Sequence, residues 1–186
     1  MVRSDIGSSG VAFTLDTESG YRGAIFITSS YGLGEGIVQG SVNPDEFYVF
    51  KEALKNDKFP ILKKTLGEKA KKMIFANNNK AGKSVKYVKV AEEDTKNFSI
   101  TDDEIIKLSK YTQIIEEHYK VPMDIEWAKD GISGEIYILQ ARPETVQSKI
   151  TDYFEKFTLQ QKSKLIVSGK SVGQKIGSGT AKIIKD

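Results

Sequence analysis

Met123-Asp124-Ile125-Glu126-Trp127-Ala128 and Gly134-Glu135-Ile136-Tyr137-Ile138-Leu139-Gln140-Ala141-Arg142-Pro143 are separated only by Lys129-Asp130-Gly131-Ile132-Ser133. The linking segment contains the Asp-Gly step typical of a hairpin turn, and each flank alternates as a strand does. On the first flank Met123, Ile125 and Trp127 share one face, and Asp124, Glu126 and Ala128 share the other. On the second, strict alternation sets Tyr137 and Leu139 against Ile136, Ile138, Gln140 and Arg142. Side chains alternate with period two, so a register pairing even-numbered with even-numbered residues gathers Asp124, Glu126, Gln140 and Arg142 on one face. A slip of one residue would send half of them into the opposite layer.

Carboxylate and amide oxygens suit a hard cation such as Mg²⁺, which takes one or two protein ligands and leaves its other positions to water and phosphate. An Arg beside them can fork onto phosphate oxygens and offset charge on a group in transit. On composition alone, an exposed face carrying ordinary ion pairs is the commoner reading of such alternation.

At 186 residues, 39% hydrophobic and 28% charged, the chain has enough apolar residues for a real core. No stretch is long or apolar enough to span a bilayer, and Arg3 and Asp5 followed by Gly and Ser do not make a signal peptide. The absence of Cys excludes disulfides and thiolate metal sites and accords with a cytoplasmic location. The net charge of +3 hides an asymmetry: residues 51–90 hold twelve Lys against Glu52, Asp57 and Glu68, a local +9, leaving −6 elsewhere. Such a block could attract a polyanion. Phe59, Phe75 and Tyr87 are too scattered to stack bases, however, and a solvated Lys-rich surface is the favoured reading.

Along the chain, residues 1–10 read as a polar, Gly-rich entry to a strand at Val11–Leu15. Strands follow at Ala24–Ser29, Glu46–Phe50, Ile61–Leu66, Lys72–Phe75 and Val85–Val90, with a short helix opening near Glu35 and an exposed, mobile loop at 76–82. Thr101 with Glu104 three residues on is a capping box, and Ile105, Leu108, Tyr111, Thr112 and Ile115 recur at helical spacing. One amphipathic helix is therefore predicted over Asp102–Tyr119. His118, the only histidine, falls near its end, where a partial positive charge suits the helix dipole. The fold class is α+β, mainly antiparallel sheet with one or two packed helices.

Asp124-Ile125-Glu126-Trp127-Ala128 with Ile138-Leu139-Gln140-Ala141-Arg142-Pro143-Glu144-Thr145-Val146 resembles the end of the ATP-grasp nucleotide domain of the phosphoenolpyruvate synthase (pyruvate, water dikinase) family. Met1-Val2-Arg3-Ser4-Asp5-Ile6-Gly7-Ser8-Ser9-Gly10-Val11, Ser30-Tyr31-Gly32-Leu33-Gly34-Glu35 and Gln39-Gly40-Ser41-Val42-Asn43-Pro44-Asp45-Glu46-Phe47 resemble the same family, in order. Pyruvate phosphate dikinase and the rifampicin-phosphorylating enzymes share the pattern more loosely.

The resemblance implies an ATP-grasp C-terminal part at 1–147, a linker or short helix at 148–162, and the truncated start of a swivelling phosphohistidine domain at 163–186. It implies Glu126 and Gln140 as Mg²⁺ ligands and Asp124 as a further ligand or a support to one. Arg142 becomes the catalytic clamp on the transferring phosphoryl group. Glu35 borders the nucleotide pocket, within reach of the ribose or a metal-bound water. ATP with Mg²⁺ is the expected ligand. The expected partners are the preceding ATP-grasp half and the phosphohistidine domain of the same parent chain, with no nucleic acid and no membrane. Lacking those parts, the isolated chain is expected to be inactive.

Overall fold

The computed structural model describes residues 1–76 and 84–145, with 158, 160–161, 164–166, 177–180 and 182. The chain divides into two units, Met1–Ile150 and Thr151–Asp186. In the second unit the described residues are exposed and form no regular element. Most of the expected linker, the expected phosphohistidine-domain start and most of the loop at 76–82 lie outside the described residues.

In the first unit the strands are β1 (Ser8–Phe13), β2 (Ala24–Tyr31), β3 (Asp45–Phe50), β4 (Ile61–Thr65), β5 (Lys71–Phe75), β6 (Val85–Lys89), β7 (Met123–Lys129) and β8 (Ile136–Pro143). Six of them form an antiparallel sheet in the order β4-β3-β2-β1-β7-β8, and β5 pairs with β6 in a separate hairpin. The helices are α1 (Glu35–Val38), α2 (Lys51–Lys55), α3 (Glu92–Thr95) and α4 (Asp102–Tyr119). This is the expected α+β class with one main helix. Among the described residues no helix is long and apolar enough to cross a membrane.

The core lies between one face of the sheet and α4. Ala12, Ile25, Ile27, Phe47, Val49, Met123, Ile125 and Trp127 face inward from the strands, and Ile105 and Leu108 meet them from the helix. Burial of this order contributes about 1.5–3 kcal/mol for each large apolar side chain. The helix begins where Thr101 Oγ1 accepts from Glu104 N at 3.3 Å and Glu104 Oε2 accepts from Thr101 N at 2.9 Å. Asp102, Asp103 and Glu104 place negative charge in its first turn. It stops at Lys120, whose φ of 58° is left-handed. Ser109 and Thr112, buried on its inner face, donate back to Ile105 O and Leu108 O, so no hydroxyl there goes unpaired.

Two sequence expectations need correction. The first strand begins at Ser8, not Val11. The Gly-rich entry is itself strand, paired with β2 and β7 from Ser8 onward, and at Gly10 a Cβ would stand 1.9 Å from Thr28 O, leaving room only for bare backbone between β2 and Trp127. The second correction concerns β8. Glu126 pairs with Gln140, yet Trp127 pairs with Ile138, so Leu139 is an extra residue in a β-bulge. The bulge inverts the parity of the strand. Ile136, Ile138 and Ala141 therefore pack toward the core, whereas Tyr137, Gln140 and Arg142 face outward.

The 129–133 connection is also longer than a two-residue Asp-Gly turn. Asp130 Oδ1 accepts from Ile132 N and Ser133 N, and the left-handed position falls at Gly134, with φ of 74°. Ser4–Ile6, Lys51–Lys55 and Glu92–Thr95 are short helical turns that the periodicity did not announce.

Two measurements test this account. Thr101→Ala should cost about 1 kcal/mol of stability, read as a lower urea midpoint with an unchanged m-value. Deleting Leu139 should restore an unbroken ladder while keeping both faces as they are. The single tryptophan, Trp127, should then keep the blue-shifted emission of a buried indole, and a red shift to the solvent-exposed value would contradict the bulge assignment.

Candidate functional site

The outer face of β7 and β8 carries the polar residues. Asp124 stands directly opposite Arg142, and Glu126 directly opposite Gln140. The register thus brings all four predicted residues to one side of one strand pair. Arg142 Nε and Nη2 both donate to Asp124 Oδ2, at 2.8 and 2.6 Å. The Asp124 side chain is only 12% exposed while that of Arg142 is 65% exposed, so the carboxylate anchors an otherwise solvent-facing guanidinium. The hydrogen bond from Arg142 to Asp124, then the charge of Asp124, raise the pKa of Arg142 above its ordinary value; burial opposes them slightly and the charge of Glu126 adds to them. The guanidinium is held cationic and aimed.

The same row continues across the sheet as Phe13, Phe26 and Tyr48, with ring centroids 6.3 and 4.9 Å apart. Burial, then the charges of Asp16, Glu18 and Glu46, push the Tyr48 phenol up to about 12. It stays neutral at any physiological pH.

Beside these residues lies a cleft of about 490 Å³, within the size range of small-molecule sites. Glu35 and Glu126 stand in its walls, with Val2, Leu33, Val38 and Leu139 supplying apolar surface. Asp124, Gln140 and Arg142 lie along the strands next to this cleft rather than in its lining. One wall is the loop from Gly32 to Glu35. Gly32 takes φ of 88°, which only glycine adopts without strain, and its absent Cβ would meet Met73 O at 2.4 Å. The loop is tied at three points: Gly32 N donates to Gly7 O at 3.1 Å, Ser9 Oγ donates to Gly32 O at 2.6 Å, and Leu33 N donates to Met73 O at 2.9 Å. Glu35 then opens α1, its carboxylate accepting from Gln39 Nε2 at 2.8 Å.

The donor set fits a hard cation. Among the described residues no cluster of three or more His, Cys, Asp or Glu is placed to hold a metal. An ion here would rest on two carboxylates and an amide, in keeping with the low protein-ligand count of Mg²⁺. Ser9, Val2, Leu33, Val38 and Leu139 were not singled out in the sequence. Val2 and Leu33 lie in loops, Ser9 in β1, Val38 at the end of the short α1 and Leu139 at the bulge, so no shared periodicity marks them. His118 is exposed at the end of α4, edge-on to Tyr119 at 4.9 Å, as its position near the helix end predicted. The Lys-rich block is not uniformly a solvated surface. Lys51, Lys55 and Lys64 pair with Glu116, Glu117 and Asp102, and Lys69 is fully buried against Asp45.

The six-stranded antiparallel sheet, its one long covering helix and the glycine-bearing loop beside its outer face agree with the ATP-grasp-type domain that the sequence resemblance implied. Residues 1–163 match the family described as pyruvate phosphate dikinase, AMP/ATP-binding domain, and the chain belongs to that family. Its whole length is similar to phosphoenolpyruvate synthases: 56% identical to that of Neisseria meningitidis, 53% to that of Pseudomonas aeruginosa and 49% to that of Escherichia coli. The chain spans about a quarter of the length of these curated relatives, 24%, 24% and 23% respectively.

Proposed function

We propose that this chain supplies the Mg-ATP phosphate wall of a phosphoenolpyruvate synthase, an enzyme converting pyruvate, ATP and water to phosphoenolpyruvate, AMP and phosphate. The observation that carries the reading is the paired register of β7 and β8. It sets Glu126 against Gln140 and Asp124 against Arg142 beside the cleft that Glu35 borders. Similarity to phosphoenolpyruvate synthases over the whole of this chain supports the water-using reaction over the phosphate-using and rifampicin-directed ones.

In this reading the apolar cleft between Leu33, Val38 and Leu139 takes the nucleoside, and its phosphates run along the strands toward Arg142. Glu126 and Gln140 would hold Mg²⁺, with Asp124 beside them; the ion, when bound, offsets charge on the phosphate oxygens. Asp124 keeps Arg142 extended over the face, so the guanidinium meets the transferring phosphoryl group without having to be ordered first. Phosphoryl transfer relies chiefly on such positioning and charge stabilisation. The phosphoryl acceptor is a histidine carried on another domain of the parent chain, which delivers the group to pyruvate bound elsewhere. This segment therefore does not turn over alone. The polyanion-binding alternative loses support because four of the block's lysines, Lys51, Lys55, Lys64 and Lys69, are already paired with carboxylates.

In the full-length enzyme, Arg142→Ala should lower AMP formation by roughly two or more orders of magnitude, the scale of losing a charge partner in the transition state. Near-normal turnover would remove Arg142 from this role. Glu126→Ala should raise the Mg²⁺ concentration needed for half-maximal turnover with ATP saturating. An unchanged Mg²⁺ titration would show that Glu126 is not a ligand.

A further inference from the structure

We infer that Lys69 is a positioning residue for the cleft, acting through Asp45 on β2, which leads into the Gly32–Glu35 loop, and on β5, which holds it; that this cleft takes a nucleotide rests on the function proposed above.

Both side chains are 0% exposed. Lys69 Nζ donates to Asp45 Oδ1 at 2.5 Å and to Gly67 O at 3.0 Å. Asp45 Oδ1 also accepts from Gly67 N at 2.9 Å, and Oδ2 accepts from Ser99 N at 2.8 Å and Ser99 Oγ at 2.7 Å. Ser29 Oγ lies 2.7 Å from Ser99 Oγ and closes the network. Burying two charges costs so much that apolar residues often serve stability as well or better. A pair this completely satisfied instead specifies one arrangement of the elements it joins. The chain bends to make it: Lys69 adopts φ of 43°, left-handed and uncommon for a non-glycine residue, with its N–H donating to Asn43 O at 3.1 Å. At Gly67 a Cβ would stand 2.2 Å from the Pro44 carbonyl, so the loop is pressed directly onto the start of β3.

The joined elements are the two that hold the cleft loop. Asp45 opens β3 opposite Ser29 of β2, and β2 ends at Tyr31, immediately before Gly32. Lys69 stands two residues before β5; Ala70 O accepts from Val90 N at 3.1 Å to close the β5–β6 hairpin, and Met73 O of β5 accepts the N–H of Leu33. One buried ion pair therefore sets the distance between the strand that leads into the loop and the strand that captures it. Leu33 and Glu35 in the cleft wall inherit that distance.

The test uses the full-length enzyme with Lys69→Met, and with the uncharged pair Asp45→Asn plus Lys69→Gln in case the single change prevents folding. Two quantities are read: amide hydrogen exchange at Leu33 and Val90 against Leu108 and Thr112 in α4, and the dissociation constant for Mg-ATP. The expected result is exchange at Leu33 and Val90 at least tenfold faster with α4 unchanged, and Mg-ATP bound at least tenfold more weakly. Unchanged Leu33 protection in either folded variant would overturn the inference. So would a loss shared equally by α4, or a looser Leu33 with undiminished Mg-ATP affinity. If the unmodified enzyme bound no Mg-ATP, the proposed function would fail, and the exchange measurement alone would decide the positioning role.

Discussion

The one-residue bulge at Leu139 lets β8 meet two opposed demands. Nearest the hairpin loop the strand must present Ile136 and Ile138 to a core that already holds Trp127. Toward its far end it must present Gln140 and Arg142 to the opposite side, across from Glu126 and Asp124. With Leu139 in regular alternation the strand could not do both, because Ile136, Ile138, Gln140 and Arg142 would all share one face. The extra residue resets the alternation between the two halves. It also places Leu139 in the cleft wall, so the device that reconciles the faces contributes to the site.

The sheet thereby divides its labour. Its inner face, covered by α4, is apolar and tightly buried, and this gives β1, β7 and β8 a fixed register. Among the described residues its outer face carries no covering helix, and it holds the polar groups of β7 and β8. Functional side chains mounted on strands are placed more closely than side chains on loops. The Gly32–Glu35 loop, which forms one wall of the cleft, is tied to the sheet by Ser9 and to β5 through Met73.

Charge follows the same division. Asp124 is largely buried and orients Arg142, which is largely exposed; in the proposed function the anchored partner and the working partner are different residues. The Lys-rich segment looked uniform in sequence, yet its members have unlike fates. Some cover acidic positions on α4, and Lys69 is fully buried, paired with Asp45. Composition could not separate these, because a lysine's environment depends on the partner that the fold brings to it.

Local chemistry made much of this chain legible before any coordinates. The capping box at Thr101 and Glu104, with helical spacing after it, located α4 to its bounds, since both signals lie within a few residues of one another. Alternation around Glu126 and Gln140 likewise identified the strand pair and the residues on its polar face. The parity break at Leu139, the early start of β1 at Ser8, the apolar cleft walls and the Lys69–Asp45 pair were decided only in three dimensions. Each depends on atoms far apart in the chain: Thr28 O against Gly10, Trp127 against Ile138, and Asp45 against Lys69. Short-range periodicity records which face a residue prefers; it holds no record of which distant backbone or charge will stand there.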